Sequence, residues 1–450
     1  MGKKADRLPQ TAGLGACFAL CFFFSAPCFG EVLGLTYRGS VSLWNSYQHS
    51  PALENSAVNP QNLALGLPED RYSSELRPNL KFVSSSLQII LRPRLRYAFS
   101  LIKKGDNPSY FEKTKVDTFV SEAFFQWSLS DSLAFALGAQ SYQWGAAEVL
   151  SPSNRIFHET AQDRTNLFEV RGRYIARANY SFGKSFSVVV MSEVLENKDN
   201  VDIRTYSAGE TWYPTVLVKP EFNWNNGADY FGIVVGNKEK NRPWVGQYFS
   251  YGIPFFEGLT VYADSSHERG SNAWYPQVSP LGPNQPSVVT FTRAKKDEPT
   301  IRSLAISGLR YDFEDGSILR AEYIQNDAAY TKEERDLAIR SFQSVIPQQL
   351  AVRSDNTQRF LAPGIELPGR RLIYLSAYIP NPFSLKDLIF FARGLRSMSD
   401  QSGTYYGSID YTVGDSGTIS YAYSLSSGPI DGEAKGFSSP LHIIAYRHDW

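Results

Sequence analysis

Sustained period-two alternation is the feature that most restricts this chain. Leu35, Tyr37, Gly39, Val41 and Leu43 alternate with Thr36, Arg38, Ser40 and Ser42. Leu87, Ile89, Leu91, Pro93, Leu95, Tyr97 and Phe99 alternate with Gln88, Arg92, Arg94 and Arg96. Phe168, Val170, Gly172, Tyr174 and Ala176 alternate with Glu169, Arg171, Arg173 and Arg177, and Ile419, Tyr421, Tyr423 and Leu425 alternate with Ser420, Ala422, Ser424 and Ser426. This is the strand period, with one face apolar and the other polar. The runs are about 10–15 residues long, whereas strands of soluble domains average about 5–6. Propellers and β-helices would impose a repeat, and none is visible.

Strands that cross a bilayer need about 9–11 residues. The expected fold is therefore all-β, a transmembrane antiparallel up-and-down β-barrel. Connection lengths point the same way. Short turns at 130–131, 181–184, 225–227, 254–257, 314–316, 381–386 and 414–417 alternate with longer, polar connections, among them 103–115, 147–165, 196–212, 266–299 and 331–369. Barrels of this kind have tight turns at one end and long loops at the other. About 17 strands are visible between 33–45 and 437–450, including 116–129, 132–146 and 166–180. An even number needs one more. The segment 71–84 supplies it, because Leu76, Pro78, Leu80 and Phe82 alternate before Ser84-Ser85-Ser86. That gives about 18 strands, nine loops and eight turns, with 16 as the fallback if residues 31–82 lie outside the wall. In 331–346, Lys332-Glu333-Glu334-Arg335 precedes Leu337, Ile339 and Phe342, which predicts a short loop helix.

Residues 1–30 read as a secretory signal peptide, with Lys3, Lys4 and Arg7 before an apolar run from Leu14 to Phe24 and small residues after it. The barrel is then assigned to 31–450. Cys17, Cys21 and Cys28 all fall in the leader, which leaves the mature chain without thiol chemistry. Mean hydropathy is −0.29, so a polytopic helical membrane protein is excluded. Lys and Arg number 45 and Asp and Glu 45, and so balanced a chain lacks the basic footprint of a nucleic-acid binder. At the other end His442, Ile444, Tyr446, His448 and Trp450 share one strand face. This resembles the terminal aromatic assembly signal of bacterial outer-membrane proteins, which implies Tyr446 and Trp450 as its carriers and the barrel-assembly machinery as a partner.

Charged side chains on the lipid face cost up to about 2–4 kcal/mol at the bilayer midplane, so arginines on these strands should point into the lumen. Arg92, Arg94 and Arg96 form one row, and Arg171, Arg173 and Arg177 another. Such rows set ion selectivity, or they brace the wall by pairing with Glu122, Glu169 or Glu193. If Leu133, Phe135 and Leu137 face lipid, then Gln140, Tyr142 and Trp144 face inward. The connection 147–165 carries Val149, Leu150, Ile156 and Phe157, too apolar for a free surface loop. Folding it into the lumen would bury them and place Glu148, Arg155 and Glu159 across the pore. Ser151, Ser153 and His158 lie close together without an acyl-transfer pattern. The histidines, His49, His158, His267, His442 and His448, show no metal-ligand spacing. No cofactor and no enzyme activity is expected.

Taken whole, 31–450 resembles a bacterial outer-membrane porin of the larger, substrate-selective kind, whose barrels have about 16–18 strands and in several of which a loop narrows the lumen. Alginate-export porins are similar in size and in using lumen arginines for an acidic polysaccharide. The carry-over rests on the character of Arg92, Arg94, Arg96, Arg171, Arg173 and Arg177. The resemblance implies passive diffusion of small polar or anionic solutes, acidic saccharides among them, with Tyr142, Trp144 and Arg155 as further pore-lining residues, and it is compatible with a homo-oligomer. The other reading is a non-conducting barrel acting in adhesion or envelope assembly through loops 266–299 and 331–369.

Overall fold

In the computed structural model the chain is described from residue 29 to residue 450, apart from 33–34, 52–58, 60–61, 63–65, 104–109, 158–170, 196–212, 238–242, 281–286, 345–346, 362, 368 and 430–438. The expected leader lies outside the described residues except for Phe29 and Gly30. These two begin β1 (Phe29–Val32), which pairs with the first wall strand.

Eighteen antiparallel strands form a closed wall. They are β2 (Leu35–His49), β3 (Asp70–Val83), β4 (Leu87–Lys103), β5 (Tyr110–Ser128), β6 (Leu133–Gln140), β7 (Arg173–Phe182), β8 (Phe186–Glu193), β9 (Val216–Trp224), β10 (Asp229–Asn237), β11 (Pro243–Gly252) and β12 (Leu259–Arg269). A two-strand excursion, β13 (Tyr275–Pro280) with β14 (Ser287–Thr292), interrupts the wall. It resumes with β15 (Ile301–Asp312), β16 (Ile318–Asn326), β17 (Arg371–Pro380), β18 (Leu388–Ser397), β19 (Gly403–Val413), β20 (Gly417–Ser427) and β21 (Leu441–Asp449). Each wall strand pairs with its sequence neighbour in the wall. β2 also pairs with β21, from Ser42↔Asp449 to His49↔His442, which seals the cylinder. At the seam Val41 and Trp450 exchange backbone hydrogen bonds of 3.2 and 2.8 Å.

The alternating segment at 71–84 is β3 and Ser84–Ser86 its turn, so the fallback with residues 31–82 outside the wall is excluded. Three boundaries differ from expectation by six residues or more. β5 begins at Tyr110, converting much of the expected loop 103–115 into strand. β6 stops at Gln140, because the chain then turns to pack Tyr142 and Trp144 against Ile156 and Phe157. β7 starts only at Arg173, which leaves Arg171 just outside it. The β4–β5 register shifts between Arg92 and Pro93. A proline has no N–H to give the ladder, and a bulge absorbs the defect.

Alternation assigns the faces. Phe231, Ile233 and Val235, then Ile373 and Leu375, then Ile444 and Tyr446, are large, apolar and exposed on the outside. Their neighbours Val234, Leu372, Tyr374 and Ala445 are buried on the inside. A continuous exposed apolar belt on a closed barrel is a bilayer-facing surface.

The connection 327–370 holds the expected helix, α1 (Lys332–Gln343), started by a capping box between Thr331 and Glu334. A second helix, α2 (Pro347–Leu361), was not foreseen, and neither was the β13–β14 hairpin. Hairpin and helices share a core of Tyr275, Phe291, Tyr330, Phe342, Phe360 and Ile365, so two long loops build one cap at the end away from the tight turns.

Candidate functional site

The six arginines of the two rows all have partners within the wall. Arg92 lies 2.7 Å from Glu122 and is the most accessible of the six. Arg94 donates to the Pro78 and Pro93 carbonyls, both at 2.8 Å, and to Asn79 at 2.9 Å. Arg96 pairs with Glu75, whose other oxygen accepts from Arg77. Arg171 grips Asp117 through both carboxylate oxygens, at 2.8 and 2.7 Å. The guanidiniums of Arg96 and Arg171 stand 5.0 and 4.9 Å from the Phe119 ring. Arg173 reaches Glu193 at 3.4 Å, and Arg177 donates to Gln126 and covers the Tyr142 ring at 4.3 Å. The bracing partners Glu122 and Glu193 are as expected; Glu169 lies outside the described residues.

The connection after β6 is described to Phe157, and its later part, with His158 and Glu159, lies outside the described residues. Its apolar residues are buried against inward side chains of the wall. Val149 and Leu150 cluster with Tyr262, Ile306, Ile324 and Tyr374, and Trp144, Ile156 and Phe157 with Ile175, Met191, Leu217 and Trp244. Polar ties match the apolar ones. Glu322 on β16 accepts from the Glu148 and Val149 N–H groups at 2.5 and 3.2 Å and from the Tyr262 hydroxyl at 2.9 Å. Asp264 on β12 accepts from the Ser151 hydroxyl at 2.6 Å and the Ser153 N–H at 2.8 Å. Gly145 takes φ +83°, and a Cβ there would fall 2.2 Å from the Asp264 carboxylate, so both backbone and space demand glycine.

Arg155 is the centre of this connection. It meets Glu268 at 3.3 Å, Glu366 at 3.1 Å and the Ser266 hydroxyl at 3.1 Å. Burial alone would lower its pKa, but the two carboxylates outweigh burial and raise it. Glu268 leads into the first cap loop and Glu366 closes the second, so one cation ties the lumen-side connection to the cap.

Beside this connection lies a cavity of about 530 Å³ lined by Gly145, Glu148, Tyr230, Tyr262, Arg310 and Arg320, among others. Arg320 pairs with Glu148 at 2.9 Å, and Glu148 accepts from Ser376 at 2.7 Å. Arg310 faces Asp312 at 2.7 Å and remains substantially accessible. Sequence reasoning missed this site because its members come from different strands. Cross-strand register puts Arg310 opposite Arg320, Arg320 opposite Ser376 and Ser376 opposite Arg393. The available signal was an arginine flanked by apolar residues on each strand (Leu309-Arg310-Tyr311, Leu319-Arg320-Ala321), which is informative only once the strands are aligned.

An antiparallel barrel with an apolar exterior and a partly filled interior has the architecture of outer-membrane barrels of the porin type. Solved structures agree on the fold. Similar structures include OccAB1 of Acinetobacter baumannii (TM-score 0.52, 11% identity, 92% of this chain and 96% of that chain). OccD3 (OpdP) of Pseudomonas aeruginosa matches with TM-score 0.51 and 7% identity over 94% and 95% of the two chains. A BenF-like porin from Pseudomonas fluorescens Pf-5 matches with TM-score 0.50 and 8% identity over 92% and 98%. No protein-family model and no curated protein matches the sequence.

Proposed function

We propose that this protein is an outer-membrane channel for passive diffusion of small polar or anionic solutes, acidic saccharides among them. The observation that carries the reading is the cavity where Arg310 and Arg320 meet the inward-packed connection. Cations held at the edge of an open cavity, on the barrel wall, attract anions without binding them too tightly to leave. The Arg92, Arg94 and Arg96 row adds positive charge elsewhere on the inner face, with Arg92 the most accessible of the three. Tyr142, Trp144 and Arg155 act here by holding the connection in place. Single-channel recording in planar bilayers tests the proposal. The wild type should conduct and prefer anions, and replacing Arg310 and Arg320 by Gln should shift the reversal potential toward cations. A closed protein, or selectivity untouched by that change, would defeat it.

One observation favours a second reading, a barrel acting in adhesion or envelope assembly. The cap has a core of its own, which a merely flexible pair of loops would lack. A preformed surface of that kind lowers the ordering cost of binding a partner.

A further inference from the structure

We propose that the outward face of β16–β18, at its loop-bearing end, binds the phosphorylated headgroup of an outer-leaflet lipid. On β17 Arg371, Ile373 and Leu375 are exposed on the lipid side while Leu372 and Tyr374 are buried inward. On β18 Leu395 packs inward, so the exposed Arg396 points out. Ile373 stands directly opposite Arg396, which makes Arg371 and Arg396 diagonal neighbours, roughly 7–8 Å apart. Gln325 on β16 is directly opposite Arg371 and also faces out, with Asp327 accepting from its amide at 3.4 Å. Among the described residues neither the Arg371 nor the Arg396 guanidinium meets a carboxylate or another acceptor.

The height is right for a headgroup. From Ile379, the last outward apolar residue of β17, to Arg371 the strand rises about 26 Å along its own axis, or about 20 Å across a bilayer at the usual tilt. The apolar band of such barrels is about 25 Å tall, so long side chains starting there reach its upper margin. Two arginines that meet no counterion among the described residues, on a lipid-facing surface, call for an anion supplied by the membrane. The planar guanidinium fork matches phosphate oxygens two at a time, which an ammonium cannot do. Gln325 offers a neutral donor beside them.

Native mass spectrometry of the full-length barrel, released from detergent micelles doped with diphosphoryl lipid A or with phosphatidylcholine, tests the site. The wild type should retain lipid A in preference to phosphatidylcholine. The double variant R371Q/R396Q should bind it about tenfold more weakly, and R371K/R396K should fall between, because the fork is lost while the charge stays. Equal retention of lipid A by wild type and the double Gln variant, or equal retention of both lipids by the wild type, would overturn the proposal. Heat-modifiable gel mobility identifies folded variants. Should the double variant fail that check, R371Q and R396Q taken singly should each weaken lipid A binding about threefold, and no effect from either would overturn the proposal.

Discussion

Arg155 shows how much one side chain can organise. It sits between Glu268 and Glu366, and removing it would leave two carboxylates facing each other in a confined space. Breaking a buried pair from one side costs about 3–5 kcal/mol. We expect Arg155→Met to raise hydrogen exchange in 144–157 and at 365–367 while the wall strands stay protected. Adding Glu366→Gln should recover part of the loss, because one uncompensated charge goes with it. Uniform exchange in wild type and variant would show that the arginine holds nothing. At this scale the sequence was a partial guide. The apolar content of Val149, Leu150, Ile156 and Phe157 announced that the connection needed something to pack on. The carboxylates that receive it, Asp264 and Glu322, come from strands more than a hundred residues away, and nothing in their local sequence marks them.

Elements were legible where one physical rule governs them. Alternation fixed the strands because every wall residue must choose between lipid and lumen, and even the inconspicuous β3 followed that rule. Boundaries failed where packing overrides the period. Tyr142 and Trp144 continue the alternation of β6 in sequence, yet they leave the sheet, meet with tilted rings at 5.8 Å and join the core around Ile156. The cap was half visible. Its first helix carries a capping box, whereas α2 begins at Pro347 without a sharp polar pattern, and the hairpin partners β13 and β14 are only 6 residues each. Because hairpin and helices share one core, the cap should behave as a unit. Replacing 271–299 and 331–365 by short Gly-Ser linkers should leave the heat-modifiable folded band intact and abolish cell-surface adhesion, if the second functional reading holds. Adhesion that survives the deletion would dispose of it.

At the scale of the molecule the wall is a single ladder joined to itself. The joint includes Trp450, which exchanges two backbone hydrogen bonds with Val41. The ring of Trp450 also lies 4.4 Å from His448, on the outward face shared with Tyr446. Deleting Trp450 should slow closure. The conversion from the unfolded to the compact band on cold gels, followed after dilution into lipid vesicles, should lengthen several-fold. An unchanged conversion rate would mean that the seam is set elsewhere.

That joint has a bearing on biogenesis. The strand that completes the ring is separated from its mate by every other strand of the wall, so neither edge is met until all of the strands between them are present. Contacts so distant in sequence form slowly, and unmated edges invite neighbours to stick. The wall must therefore stay open until β2 and β21 can meet.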